Sequence, residues 1–355
     1  MISGHGGNVF QVTRQYHLPE ESILDFSASI NPLPIPKTAI QATEKALEKL
    51  RDYPDIAYTE LLTVIGERYG ILAKNLLVGN GSTEHIYLLP QVLKPKKACI
   101  VVPSYNDYTE SFRRFSGEIS FYFLKKENGF HLDFDEFETA IAGCDVVVLG
   151  SPNNPTGIAV KKAPLLDLIK RKPETMFVVD EAFMDFLDDK VSIAKESTEL
   201  ENLIVLRSLT KFYGIPGLRL GILSTSEKNI ASLKKVQEPW TVNCFAEAIG
   251  IELLKDVEFQ QKTRETIRLE REWLYLQLSA LKGITPLPSD ANFIFIKIEK
   301  EGMDSEKLWD KLTPLGILIR RCGNFRGLDA SYFRIAIRLR KDNEALINAL
   351  RKALG

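Results

Sequence analysis

Cysteine and histidine are both scarce in this 355-residue chain, at four each. Cys99, Cys144, Cys244 and Cys322 are scattered and form no C-x-x-C pair. A disulfide framework and a cysteine zinc site are therefore not expected, and a reducing cytoplasm is the default setting. His5, His17, His85 and His131 lack metal-ligand spacing, so no histidine metal centre is expected. An excess of either charge is missing too: 46 Lys plus Arg against 47 Asp plus Glu leave a formal net charge of −1. No overall field points to nucleic acid or to a membrane surface. No apolar run is long enough to span a bilayer, and the first residues lack the charged-then-apolar order of a signal segment. There is no internal repeat and no low-complexity tract. The remaining composition, 45% hydrophobic and 26% charged, is that of an ordinary soluble globular protein. The length suits one larger and one smaller domain.

The most informative stretch runs Ser208-Leu209-Thr210-Lys211-Phe212-Tyr213-Gly214-Ile215-Pro216-Gly217-Leu218-Arg219. It follows an apolar strand pattern, Leu203 to Leu206. It sets a lysine among small, polar and glycine residues, which suit a tight site better than a solvated helix face. Lysine becomes a nucleophile when its surroundings lower its pKa. Lys211 is therefore read as forming a Schiff base with an aldehyde cofactor.

Residues 1–35 read as an irregular arm, because Gly and Pro density argues against long regular elements there. Helical patterns follow from Lys37 to Leu50 and from about Ala57 to Tyr69, broken by Arg51-Asp52-Tyr53-Pro54-Asp55. Gly79-Asn80-Gly81-Ser82-Thr83-Glu84 comes next. Its glycines permit close backbone approach, Ser82 and Thr83 are good caps, and a helix opens there, so it is an anion-site candidate. It is no Walker loop, because no Gly-Lys-Ser/Thr follows. Short apolar strands are expected at 98–102, 145–149, 176–179 and 203–206. They end in Pro103-Ser104-Tyr105, in Ser151 to Gly157, in Asp180-Glu181-Ala182-Phe183 and before Lys211. Such strands between helical patterns signal an α/β fold with a mostly parallel sheet covered on both faces. Ligands bind outside the carboxyl ends of such strands, where every polar motif named here falls. A long helical pattern spans about 245–281, strands are expected at 292–298, 317–319 and 332–337, and a helix closes the chain from Lys341. The expected division is a large domain at 36–245, with residues 1–35 and 246–355 forming the arm and a smaller α/β domain.

A phosphorylated pyridine aldehyde would need six things at this edge. The amine is Lys211. The acid that keeps the ring nitrogen protonated is Asp180. Phosphate donors are Gly81, Ser82, Thr83, Ser208 and Arg219. Tyr105 offers a flat face to the ring, and Asn154 a donor to its hydroxyl.

The motifs Asn153-Asn154-Pro155-Thr156-Gly157, Asp180-Glu181-Ala182-Phe183 and Ser208 to Gly221 resemble the fold-type I pyridoxal-phosphate enzymes of the aspartate aminotransferase superfamily. The likeness covers essentially the whole chain. Within that superfamily it is similar to the histidinol-phosphate aminotransferases and their relatives, the L-threonine-O-3-phosphate decarboxylases of cobalamin synthesis. The decarboxylase branch is favoured by His5-Gly6-Gly7-Asn8 with Asp25 to Pro32, and by Phe183, where the aminotransferases usually carry Tyr. The segments 237–243 and 319–329 point the same way. The resemblance implies pyridoxal 5'-phosphate, a phosphorylated amino-acid substrate and a homodimer in which Tyr53 of one subunit touches the other's cofactor phosphate. It implies that Arg334 clamps the substrate carboxylate and that Arg320, His5 and Asn31 receive its phosphate. Aiming the carboxylate out of the ring plane would release carbon dioxide rather than a proton. Phe183 is expected to raise the pKa of the Schiff-base nitrogen relative to a tyrosine variant. An aminotransferase using 2-oxoglutarate stays open as the alternative, as does serine phosphate against threonine phosphate. A regulator built on this fold is not expected, since the chain starts directly with the arm and leaves no room for a DNA-binding segment.

Overall fold

A computed structural model describes residues 6–355. The arm is more regular than its composition suggests: it holds a helix, Val9–Tyr16, and a short strand β1, Leu24–Asp25. The helix buries only Val12 and ends at His17 in a left-handed turn. Glycine and proline therefore bracket the helix without preventing it.

Seven strands follow: β2 (Leu76–Asn80), β3 (Lys97–Val102), β4 (Glu118–Phe123), β5 (Val146–Gly150), β6 (Met176–Asp180), β7 (Leu203–Ser208) and β8 (Leu220–Ser224). They form one sheet in the order β2-β8-β7-β6-β5-β3-β4. Only β8 runs against its neighbours. The central strands β5, β6 and β7 are almost wholly buried. Alternate residues feed two cores: Val147, Val179 and Val205 pack on one face, Val148, Val178 and Leu206 on the other. This explains why these strands read as continuous apolar runs rather than alternating ones. The carboxyl ends of β5, β6 and β7 lie side by side, with Gly150 in register with Asp180 and Asp180 with Leu206. The loops they launch must therefore share one edge.

The pattern at 245–281 is two helices, Cys244–Lys255 and Val257–Ser279. They break at Asp256, whose side chain accepts from Phe259 N. A second, antiparallel sheet has the order β12-β13-β10-β9, from β9 (Ile284–Pro286), β10 (Phe293–Ile298), β12 (Arg320–Arg321) and β13 (Tyr332–Ala336). The short strand β11 (Ile317–Leu318) pairs in parallel with β1. Ala336 N donates to Phe26 O, tying the arm further to this sheet, and Asn31 N donates to Lys211 O at 2.9 Å. The arm thus crosses from the smaller sheet to the edge of the larger one. Among the described residues no helix is long and apolar enough to cross a membrane.

Candidate active site

At the end of β7, Ser208 is still extended and a single helical turn, Leu209–Phe212, swings Lys211 back over the strand. Lys211 Nζ donates to Ser208 Oγ at 2.9 Å, and Ser208 Oγ also meets Thr210 Oγ1 at 2.8 Å. Burial lowers the Lys211 pKa to about 8; Asp180 opposes the change, while Arg219 and Arg334 add to it. The amine is thus substantially easier to deprotonate than a surface lysine, as a Schiff-base nucleophile requires.

Asp180 closes β6 and is 5% exposed. Its Oδ1 accepts from Ala182 N at 2.9 Å and its Oδ2 from the Tyr108 hydroxyl at 2.7 Å. Burial raises the carboxyl's pKa, and the Tyr108 hydrogen bond, Lys211 and the Ala182 N–H act against it. Tyr108 was not singled out from sequence. The available signal was its spacing: it stands one turn after Tyr105, near the start of the helix Asn106–Phe112, with the two rings edge-on at 5.7 Å.

The helix Ser82–Leu93 starts from Gly81, which adopts φ 77°. A Cβ there would lie 2.5 Å from Arg219 Nη2, so a bare backbone is what lets Arg219 lie against the helix start. Neither Ser82 nor Thr83 caps this helix, contrary to the expectation from their residue types; the N-cap is Gly81, with no side-chain cap bond. The first backbone N–H groups therefore remain available for an anion. Burial raises the Tyr105 phenol, with Asp107 adding to the effect and Thr83 opposing it.

On the smaller sheet, Arg320 of β12 and Arg334 of β13 are direct cross-strand partners. Both are buried, at 9% and 6% exposure. Arg320 donates to Asn324 Oδ1 at 2.8 Å and stacks on Phe325 at 4.7 Å. Arg334 donates to Asn154 Oδ1 and, at 3.1 Å, to Ser27 O. Its Nε has no partner among the described residues. Burial lowers the Arg334 pKa to about 10, so it stays a cation at neutral pH.

One cavity of about 210 Å³ gathers most of the expected residues: Ser82, Thr83, Tyr105, Asn154, Asp180, Lys211, Arg320 and Arg334 all line it. Phe183, Asn106, Tyr108 and Phe325 are also part of the wall, with the arm segment 27–30 along one side. Ser208, Gly81 and Arg219 are not part of its wall: Ser208 adjoins it through Lys211, Gly81 through the next residue, Ser82, and Arg219 lies against Gly81. Tyr53 lies elsewhere on this subunit: it is 80% exposed and packs on Trp240 at 4.7 Å. Asn31 is a correction. Its amide donates to Phe212 O at 2.7 Å and to Thr263 Oγ1 at 2.9 Å, and its Oδ1 accepts from Leu33 N. Every polar atom of that side chain is occupied in the interior, so it offers nothing to a phosphate. His5 lies outside the described residues. The donor set fits a phosphorylated pyridine aldehyde: an amine with lowered pKa, a buried carboxylate across from it, and an uncapped helix start beside an arginine.

The aminotransferase class I and II family matches residues 21–350. This chain belongs to that family. It is 36% identical to a threonine-phosphate decarboxylase of Salmonella typhimurium, over 99% of this chain and 97% of the relative. It is 38% identical to a putative threonine-phosphate decarboxylase of Caldanaerobacter subterraneus, over 98% and 93%. Among solved structures, the histidinol-phosphate aminotransferase of Clostridium acetobutylicum superposes with a TM-score of 0.87 at 32% identity, covering 93% of this chain and 98% of that one. The L-threonine-O-3-phosphate decarboxylase of Porphyromonas gingivalis gives 0.78 at 27%, covering 88% and 94%. A histidinol-phosphate aminotransferase of Sinorhizobium meliloti, solved with pyridoxal-5'-phosphate, gives 0.87 at 18%, over 98% and 97%, which speaks to the fold alone.

Proposed function

We propose that this chain is a pyridoxal-5'-phosphate-dependent decarboxylase of L-threonine O-3-phosphate, or of L-serine phosphate. The product would be the matching amino-alcohol phosphate, (R)-1-amino-2-propanol O-2-phosphate or ethanolamine phosphate, for the cobamide nucleotide loop. The observation that carries the substrate class is the Arg320–Arg334 pair. Like charges directly opposite each other across two strands are destabilising, more so when buried. The pairing makes sense when a ligand brings two anionic groups, a carboxylate and a phosphate.

When bound, the cofactor supplies an amine-reactive aldehyde and a protonated ring that takes up the electron pair released at the α-carbon. Lys211 would hold the aldehyde, and its Nζ would carry the proton that goes to the α-carbon. Asp180, held by Tyr108 and Ala182 N, keeps the ring nitrogen protonated. Gly81, Ser82, Thr83, Ser208 and Arg219 would receive the cofactor phosphate, Tyr105 would offer its flat face to the ring, and Asn154 would serve the ring hydroxyl. Arg334 fixes the substrate carboxylate through a bidentate fork, with Asn154 orienting the guanidinium. Arg320 takes the substrate phosphate, with His5 as its second donor. The functional unit we propose is a cytoplasmic homodimer, in which the exposed Tyr53 completes the partner's phosphate site. The large domain in this reading is 36–245, with 1–35 and 246–355 forming the arm and small domain.

The test is release of labelled carbon dioxide from carboxyl-labelled L-threonine phosphate by the cofactor-loaded protein. Labelled carbon dioxide is the expected result; its absence, with the label retained in an oxo acid, would sink the decarboxylase. That second outcome is the aminotransferase reading, favoured by the 0.87 superposition on the Clostridium acetobutylicum aminotransferase.

A further inference from the structure

Directly behind the cavity floor lies a buried charge cluster that the proposed reaction does not use. Asp180 and Glu181 are adjacent, yet Asp180 lines the cavity while Glu181 turns into the core. Along β7 the alternation of a strand separates Arg207 from Ser208 in the same way. Arg207 Nη2 lies 3.0 Å from Glu181 Oε2, and Arg207 Nη1 2.7 Å from Asp185 Oδ1; all three side chains are 5% exposed or less. Ser192 Oγ donates to Glu181 Oε2 at 2.6 Å and accepts from Arg207 Nη2 at 2.7 Å. Ile193 N donates to Glu181 Oε1, and Tyr69 packs under the guanidinium at 4.6 Å while donating to Asp185 Oδ2.

Stability does not account for such a cluster, since well-packed apolar side chains of similar volume hold a fold at least as well. Its location suggests another task. The β6–β7 ladder ends at the Asp180–Leu206 pair, with one further bond from Glu181 N to Leu206 O. Beyond that point the two chains diverge, one into Ala182–Phe183 and the other into Ser208–Lys211. The Glu181–Arg207–Asp185 bridge is what joins them there. We propose that Arg207 is a positioning residue, which through Glu181 and Asp185 holds the Asp180 carboxylate and the Lys211 amine at a fixed separation across the cavity floor. The inference rests on the cofactor reading only for why that separation matters.

The experiment compares wild type with the uncharged variant E181Q/D185N/R207M, which retains an acceptor oxygen for Ile193 N and one for Tyr69, while the Ser192 hydroxyl can turn to accept from the new glutamine amide. Competitive acetylation of Lys211 in cofactor-free protein, read by mass spectrometry against pH, gives the midpoint of its amine without needing any cofactor. The triple variant also removes a net charge of −1 from behind the cavity, whereas R207K keeps every charge of the cluster. A midpoint shift shared by R207K therefore reports movement rather than the lost charges. In a variant whose melting is cooperative and near wild type, the midpoint is expected to move by ~0.5 pH unit or more. Pyridoxal phosphate affinity, followed by absorbance, is expected to fall ~10-fold or more, as small misplacements do. A folded variant with wild-type midpoint and affinity would overturn the proposal. R207K, which keeps the charge but loses the fork, gives the same readouts should the triple variant not fold, and a wild-type result there overturns it equally. Wild-type protein that takes up no pyridoxal phosphate would count against the cofactor reading, while the acetylation midpoint would still decide the role of Arg207.

Discussion

Replacing Lys211 by methionine should stabilise the cofactor-free protein while abolishing its chemistry. The lysine's pKa falls from an ordinary 10.5 to about 8 in the folded chain, with burial the leading cause. That difference corresponds to roughly 3 kcal/mol of destabilisation by the buried ammonium at neutral pH, at about 1.4 kcal/mol per unit. Methionine keeps most of the stem's packing. The lost hydrogen bond to Ser208 Oγ leaves that hydroxyl with Thr210 Oγ1, and returns about 1 kcal/mol of the gain. A net stabilisation of about 2 kcal/mol near pH 7 is therefore expected. The sign with pH follows from linkage. Between about pH 8 and 10.5 the unfolded chain binds more protons than the folded one, so wild-type stability rises with pH through that window. The advantage of the methionine variant should thus be full below about pH 8 and nearly gone by pH 10.5. Urea unfolding at several pH values measures it. Equal or lower stability of the variant near pH 7, or an advantage that grows with pH, would refute the reasoning.

Tyr108→Phe removes one of the two donors that hold Asp180. A hydrogen bond to a charged group contributes ~1.5–3 kcal/mol, so cofactor retention measured by dialysis should weaken by roughly 10- to 100-fold. Gly81→Ala combines a left-handed φ of 77° with a Cβ 2.5 Å from Arg219 Nη2. Pyridoxal phosphate binding should weaken by about 1–3 kcal/mol while free pyridoxal, which lacks the phosphate, binds as before; equal losses for both would point to a collapsed site instead. Phe183 lines the cavity edge-on to Phe293 at 5.0 Å. Phe183→Tyr should lower the pH midpoint of the bound cofactor's absorbance change, and an unmoved midpoint would show that the new hydroxyl does not reach the ring oxygen.

The parallel strands β3, β5, β6 and β7 were legible because burial on both faces turns them into unbroken apolar runs. The strands β2, β4 and β8 were not: β2 offers only Leu76, Leu77 and Val78 before Gly79. β4 is a partly exposed edge strand beginning with Glu118. β8 begins directly after the loop residue Arg219, and its Gly221 interrupts an already short apolar run. Lys211, Asp180 and Asn154 could be found because their motifs sit at strand ends, where chain geometry alone brings them together. Arg320 and Arg334 could be named only through resemblance, since their pairing depends on a register between segments fourteen positions apart. Asn31 shows the opposite case: resemblance assigned it to the substrate phosphate, yet its side chain bonds Phe212 and Thr263, 181 and 232 residues away. Arg207, Glu181 and Asp185 escaped notice because buried ions leave no periodic signal; their place among apolar strand residues was the only trace.

The most direct measurement of the central claim sets two substrates side by side on the cofactor-loaded protein. L-threonine phosphate is offered in one reaction, with carbon dioxide and aminopropanol phosphate followed; histidinol phosphate with 2-oxoglutarate is offered in the other, with glutamate followed. Carbon dioxide from the first and no glutamate from the second is the predicted result. Glutamate from the second with no carbon dioxide from the first would contradict it, making the Arg320–Arg334 pair part of an aminotransferase site.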